Sequence, residues 1–377
     1  MVRSEDSGQR KKLLIVCQNQ FGYHVDAYYY CKYLQQRFEI TYICWDYQFK
    51  RIDLDGVEVI LVSRKGTVLR RYLRYLASVV FRIRKGRYDI HFIKYFRACA
   101  LLRICAPSKP FVLDVRSGHI SNRKIIRQIF DCAIRIESLF FRNLTVISQG
   151  LAKKLYLDNK AVVLPLGAEE LSASDKKFDR LHLLYVGTLS ERNIEQTLLG
   201  FIKFIEEFNK EVDIRYTIIG SGAHGEEDVL RRIVEEKKLS SVVSVLGRIP
   251  HDQLAPYFAS HTVGVSYVPL TEYFDVQPVT KTYEYLLSGM PVLATKTTEN
   301  ARIIGENNGV LIDDDQYSFC EGLKRIHQRL GRFDSGRIRQ SACEYRWRVI
   351  VAGLEEYLFS LSDSGRKKFA IGACHER

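Results

Sequence analysis

Short apolar runs recur along this chain at regular intervals, and the stretches between them are polar or spaced like helices. The first half opens with KKLLIVCQ, then the loop NQFGYH, then a helical pattern over about residues 26–36. Further strand-like runs follow at FEITYICW, VEVILV, YDIHFI, PFVLDV and LTVIS. Strands alternating with helices predict a parallel sheet covered on both faces. The stretch VVLPLGAEELSASDKKFDRL breaks the pattern with Pro165, Gly167 and a polar tract, which predicts an interdomain linker near residues 164–180. The scheme then repeats with LHLLYVG, IRYTIIG, VVSVLG, TVGVSYV, MPVLAT and GVLI. After Asp315 the pattern turns helical, with one or two helices over residues 342–361 and a polar tail. The expectation is an α/β protein of two doubly wound Rossmann-like domains facing a cleft. Their expected limits are residues 1–170 and 171–345, with a helical segment 346–377 packing back on the first domain.

The length of 377 residues suits two cores better than one. With 46% hydrophobic and 27% charged residues, the composition excludes a disordered chain. The nine cysteines stand singly at 17, 31, 44, 99, 105, 132, 320, 343 and 374, which predicts neither a disulfide framework nor a zinc site. No run approaches the length of a membrane span, and MVRSEDSGQRKK lacks the apolar stretch of a signal peptide. These features predict a cytoplasmic protein.

Charge is unevenly spread. Residues 1–170 hold 30 Lys/Arg against 15 Asp/Glu, and residues 171–377 hold 27 against 29, so the whole net charge of +13 originates in the first half. Residues 64–103 carry twelve cations and a single acid, Asp89, with tyrosines and phenylalanines interleaved. A solvated helix face, an anionic membrane surface and single-stranded nucleic acid all fit such a segment. No nucleic-acid-binding motif accompanies it, so the preferred partner is the inner face of a membrane and nucleic acid is not expected.

Two motifs carry candidate chemistry. Gly220, Gly222 and Gly225 have G-x-G-x-x-G spacing between a strand and a helix, but the next strand ends in Gly247 and Arg248 where a dinucleotide site wants an acid. A tight strand-to-helix turn is the preferred reading, ahead of an NADP-dependent oxidoreductase. In DVQPVTKTYEYLLSGMPVLAT the pattern over residues 280–287 is helical, and Lys281 and Glu284 stand three apart near its start. That spacing suits a surface ion pair, and equally a diphosphate site at a helix N-terminus.

The ordered segments VGTLSERNIEQTLLGF, YTIIGSG, VVSVLGRIPHDQLAPYFASHTVGVSYVP and PVTKTYEYLLSGMPVLAT resemble the donor domain of retaining GT-B glycosyltransferases of the group 1 type. The resemblance covers about residues 180–315, with DVRSG and VISQGLAKKL as weaker echoes in the first half. It implies that Glu284 accepts hydrogen bonds from ribose hydroxyls, a task suited to an acceptor-only carboxylate. It implies too that Lys281 and Arg192 meet the diphosphate from two sides, that Gly247 and Arg248 frame the base, and that His119 stands beside the donor sugar. Gly187, Thr188, Gly222, Asp275 and Thr280 complete the expected donor site, and Gly22, His24, Asp26 and Arg116 the acceptor side. The sequence departs from the family where Val276 replaces the sugar-contacting glutamate and Thr188 replaces an arginine. The implied activity is transfer from a GDP- or UDP-linked sugar to a hydroxyl of a glycan or lipid-linked acceptor in polysaccharide biosynthesis. No metal is expected, since no D-x-D cluster accompanies the site, and no further cofactor. A nucleotide-sugar epimerase and a basic nucleic-acid-binding protein are the alternatives.

Overall fold

The computed structural model describes residues 10–119, 123–208 and 213–362, and divides into two compact units. Unit 1 comprises Met1–Pro165 and Trp347–Arg377; unit 2 is Leu166–Arg346. The divisions thus fall at 165/166 and 346/347, against the 170/171 and 345/346 expected from sequence.

Unit 1 is built on seven strands, β1 (Lys11–Val16), β2 (Phe38–Asp46), β3 (Val57–Ser63), β4 (Ile90–Lys94), β5 (Phe111–Val115), β6 (Asn143–Val146) and β7 (Ala161–Val163). They form one parallel sheet in the order β3-β2-β1-β4-β5-β6-β7. Its helices are α1 (Val25–Leu34), α2 (Val68–Lys85), α3 (Ala100–Cys105), α4 (Lys124–Ser138) and α5 (Gln149–Lys154). β4 and β5 are buried along their whole length, as expected of central strands with both faces covered. β7 was not legible: three residues before a proline-bearing stretch are too few to show a period.

Unit 2 holds the strands β8 (Leu181–Val186), β9 (Ile214–Ile219), β10 (Val243–Val245), β11 (Val263–Ser266), β12 (Val292–Thr295) and β13 (Gly309–Ile312), again all parallel, in the order β10-β9-β8-β11-β12-β13. Its helices are α6 (Ile194–Glu207), α7 (Glu226–Glu236), α8 (Ala255–Ser260), α9 (Thr280–Leu287), α10 (Thr298–Ala301), α11 (Gln316–Arg329) and α12 (Ser335–Ser341). Each sheet reverses its strand order beside its first strand, β1/β4 in unit 1 and β8/β11 in unit 2. Such a reversal opens a crevice at the carboxyl ends of the strands.

The last helix among the described residues is α13 (Trp347–Ser362), which belongs to unit 1 and lies along α1. Trp347 is buried there, stacked on Tyr29 at 5.2 Å and edge-on to Tyr30 at 5.9 Å. The expected linker is no free tether over residues 166–180, because its polar groups are bonded into unit 2. The Ala168 amide donates to the Tyr345 carbonyl (2.8 Å), the Leu171 amide to Ser288, and the Lys176 amide to Ser335 (3.0 Å), while Arg339 donates to Asp175 (2.7 Å). Polarity alone does not distinguish a solvated linker from a strap whose donors and acceptors are satisfied.

Candidate functional site

A cleft of about 400 Å3 opens at the carboxyl edge of the unit 2 sheet. Its floor is made where β8, β9 and β10 end. The Gly187 amide donates to the Ile219 carbonyl (3.0 Å), and the Gly220 amide to the Gly247 carbonyl (2.7 Å). A Cβ on Gly220 would lie 1.9 Å from the Gly187 carbonyl oxygen, so this close lateral packing admits only glycine there. Thr188 and Ser221 continue the floor, Arg248 and His251 stand on one wall, and Lys281 closes the other.

Lys281 and Glu284 are presented by α9, whose position is set by buried polar contacts. The Tyr285 hydroxyl accepts from the Val186 amide (2.9 Å), tying α9 to the end of β8. Thr282 bonds Ser266 at the end of β11 (2.6 Å) and donates to Asn300 (2.9 Å). Glu284 is buried yet ionised. Lys281 donates to its Oε2, and His251 Nε2–H donates to its Oε1 at 3.2 Å. Burial opposes the charge, but Lys281 and His251 outweigh it and hold the carboxyl below its ordinary pKa. The ion pair and the cleft-side placement therefore coincide, and the two readings of this spacing are not exclusive.

Other expected donor-site residues are placed differently. Arg192 lies over the ring of Phe274 at 4.3 Å and outside the cleft lining. It is held between Glu191 and Asn193, both left-handed at φ 57° and 52°, an uncommon pair for non-glycine residues. Asp275 spends both carboxylate oxygens on Thr298, accepting from its amide and its hydroxyl at 2.8 Å each, so it anchors the start of α10. Thr280 opens α9. Gly222 also stands outside the lining: its amide donates to Glu227 (2.9 Å), and the His224 amide donates to Glu226 (2.8 Å). With the Ala223 amide donating to Ser190 Oγ (2.7 Å) as well, these amides of the G-x-G-x-x-G turn are taken up by the chain's own side chains, which fits the tight-turn reading.

In unit 1 the loop after β1 and the start of α1 meet the ends of β4 and β5. Arg116 donates to Asp26 (2.7 Å) and to the Leu164 carbonyl (2.6 Å), and Lys94 approaches Asp26 at 3.7 Å. Asp114 accepts from Thr145 (2.8 Å) and lies 3.9 Å from Arg116. All four charged groups are almost wholly buried. Burial works against the Asp26 carboxylate, but Arg116 and Lys94 hold its pKa well below the ordinary range, whereas burial prevails at Asp114 and raises it. The Lys94 ammonium donates to His24 Nδ1 (3.3 Å); burial and this cation lower the His24 pKa to about 4. With Nδ1 accepting, the neutral imidazole carries its proton on Nε2 and is a donor. Gly22 adopts φ 85° with Ile52 against it, so its place in this loop is conformational. His119 stacks on Phe130 at 3.9 Å, and its amide donates to Asp131.

Three residues that complete these sites carried faint sequence signals. His251 follows Arg248 within RIPHD, Lys94 ends the apolar run IHFIK, and Asp114 interrupts FVLDV. In the last two, a lone charge in a buried strand was the available clue.

Residues 180–329 match the sequence profile of the family described as Glycosyl transferases group 1. A D-inositol 3-phosphate glycosyltransferase of Paenarthrobacter aurescens is 25% identical over 189 residues, covering 49% of this chain and 45% of that protein. The chain therefore spans less than half the length of that relative. Among solved structures, sucrose-phosphate synthase from Thermosynechococcus elongatus superposes with a TM-score of 0.73 at 16% identity, over 94% of this chain and 100% of that one. Anabaena HepE in complex with UDP superposes with a TM-score of 0.70 at 13% identity, over 93% and 100%. At these identities the likeness establishes the fold.

Proposed function

We propose, on the match of residues 180–329 to the glycosyl transferases group 1 family, that the chain moves a sugar from a nucleoside diphosphate sugar to a hydroxyl of a glycan or lipid-linked acceptor, with retention at the anomeric carbon. The observation that carries the reading is the cleft in which Lys281, His251 and Arg248 converge on the ends of β8, β9 and β10, with Glu284 buried behind Lys281 and His251 and bonded to both. Glu284 would take the ribose hydroxyls, with His251 holding its second oxygen in place. Lys281 would turn from Glu284 to the diphosphate, and Arg192 would supply a second cation as charge grows on the leaving group. Arg248 would stand beside the base, uracil being favoured by the UDP seen in the structural relative. His119 is assigned to the donor sugar, and Gly22, His24, Asp26 and Arg116 to the acceptor side. There Asp26 and Arg116 act by shaping the loop, and His24 offers an Nε2–H to an acceptor oxygen.

Binding of UDP, GDP and ADP, read as a rise in melting temperature, tests the donor assignment. A ligand at about 100 times its dissociation constant adds roughly 2.7 kcal/mol of stability. Transfer is then measured with glycan acceptors and with D-inositol 3-phosphate, the acceptor in the relative's name. Free nucleoside diphosphate released only with acceptor present supports transfer over epimerisation. Lys281→Ala should cut turnover at least about tenfold, about 1.4 kcal/mol of transition-state stabilisation. Unchanged turnover in that variant would remove Lys281 from the diphosphate.

A further inference from the structure

The helices of unit 1 turn an apolar stripe outward. On α4 and the residues just after it, Ile125, Ile129, Ile136 and Leu139 are all exposed, Ile125 by 72% and Leu139 by 69%, with Cys132 exposed between them. Spacings of four, three, four and three residues place these on one side of the helix over about 21 Å of its length. An amphipathic helix ordinarily turns such a stripe to the core. Here the inward side is secured by other means. Glu137 accepts from the Ala98 and Ala100 amides (3.0 and 3.1 Å), Asp131 accepts from the His119 amide and pairs with Lys154, and Ile134 and Ser138 are buried.

Both acids of α4 are thereby used inward, and the charged residues exposed beside the stripe are cations: Lys124 and Arg135, with Arg142 just beyond. Arg97 lies over the Phe130 ring at 3.8 Å and its carbonyl accepts from Tyr72 of α2, so α2 and α4 border one surface. α2 contains six cations and no acid, and exposes Val68, Leu69, Leu73 and Phe81; α3, packed on α2, exposes Leu101 and Ile104.

We infer that α4, flanked by α2 and α3, is the element by which the chain inserts into the interface of an anionic lipid bilayer. The cations would lie at the headgroups and the isoleucines at the acyl boundary. Charge selects this occupant over a second copy of the chain, because the exposed charges that α2 and α4 themselves carry are cations, and two identical cationic faces repel. The inference deepens the membrane-surface expectation drawn from residues 64–103 and moves the inserting element to a helix outside that segment.

The test is sedimentation of the full chain with vesicles of phosphatidylcholine containing phosphatidylglycerol, and with pure phosphatidylcholine. Wild type should pellet with the anionic vesicles. Ile129→Asp/Ile136→Asp should weaken partitioning at least about tenfold, with an unchanged melting temperature because both side chains are exposed. Lys124→Glu/Arg135→Glu should abolish the preference for anionic lipid. Equal pelleting of wild type and the isoleucine variant, or equal partitioning onto neutral vesicles, would overturn the inference. So would a wild type that stays in the supernatant as a dimer which the isoleucine variant dissociates. Vesicle binding is read without donor or acceptor, so its failure and that of the nucleotide test are separable.

Discussion

His91 provides a pH-dependent readout of how unit 1 is held together. It lies on β4, fully buried and stacked on Phe111 at 4.9 Å. Its Nδ1–H donates to the Pro110 carbonyl (3.0 Å), which fixes the tautomer, and Nε2 has no hydrogen-bond partner among the described residues. A second proton would sit on that nitrogen in an apolar surround, and burial lowers the pKa to about 4. The folded pKa is below the unfolded one, so between about pH 4 and 6.5 the unfolded chain binds more protons, and stability falls as pH falls. At pH 5 this single group withdraws about 2 kcal/mol relative to neutral pH, and about 3.4 kcal/mol once both states are protonated. His91→Asn keeps a donor near the Pro110 carbonyl and removes the titration. In melting curves from pH 7.5 to 5, wild type should lose about 4–8 °C more than the variant, for a unit of this size. His24 and His261, both lowered to about 4 by burial, contribute to both proteins and cancel in the difference. Parallel pH profiles would show that His91 is protonated in the folded state, and would refute the reasoning.

Two further substitutions probe the sites. Gly220→Ala places a methyl group against the Gly187 backbone; relief requires separating the ends of β8 and β9, so stability should fall by about 1–3 kcal/mol and nucleotide binding should be lost with it, both visible in one thermal-shift titration. Asp26→Asn leaves Arg116 and Lys94 as buried cations without their shared carboxylate, and should cost about 3–5 kcal/mol, read as a lower urea midpoint. Asp26→Asn combined with Lys94→Met should recover part of that loss.

The repeating apolar runs carried the two-fold α/β plan because parallel strands covered on both faces must be nearly all apolar, a property visible in one dimension. The helix over residues 280–287 and its Lys281–Glu284 pair were legible for the same kind of reason: a three-residue spacing on a helix is local geometry. The placement of Arg192 was not, since its contact with Phe274 joins residues far apart in sequence. Nor was Asp275, whose affinity for Thr298 depends on how the loop after β11 returns toward α10.

What the sequence by itself determined is the alternation of elements, the glycine turns that end strands, and the concentration of positive charge in the first half. Tertiary structure alone decided which charges face inward. It gathered Asp26, Lys94, Asp114 and Arg116 from a helix start and two strand ends, and brought His251 to Glu284 from another loop. It also used the acids of α4 against unit 1, leaving isoleucines and cations outside. The physical reason is that burial and ion pairing depend on neighbours across the fold, whereas periodicity depends only on neighbours along the chain.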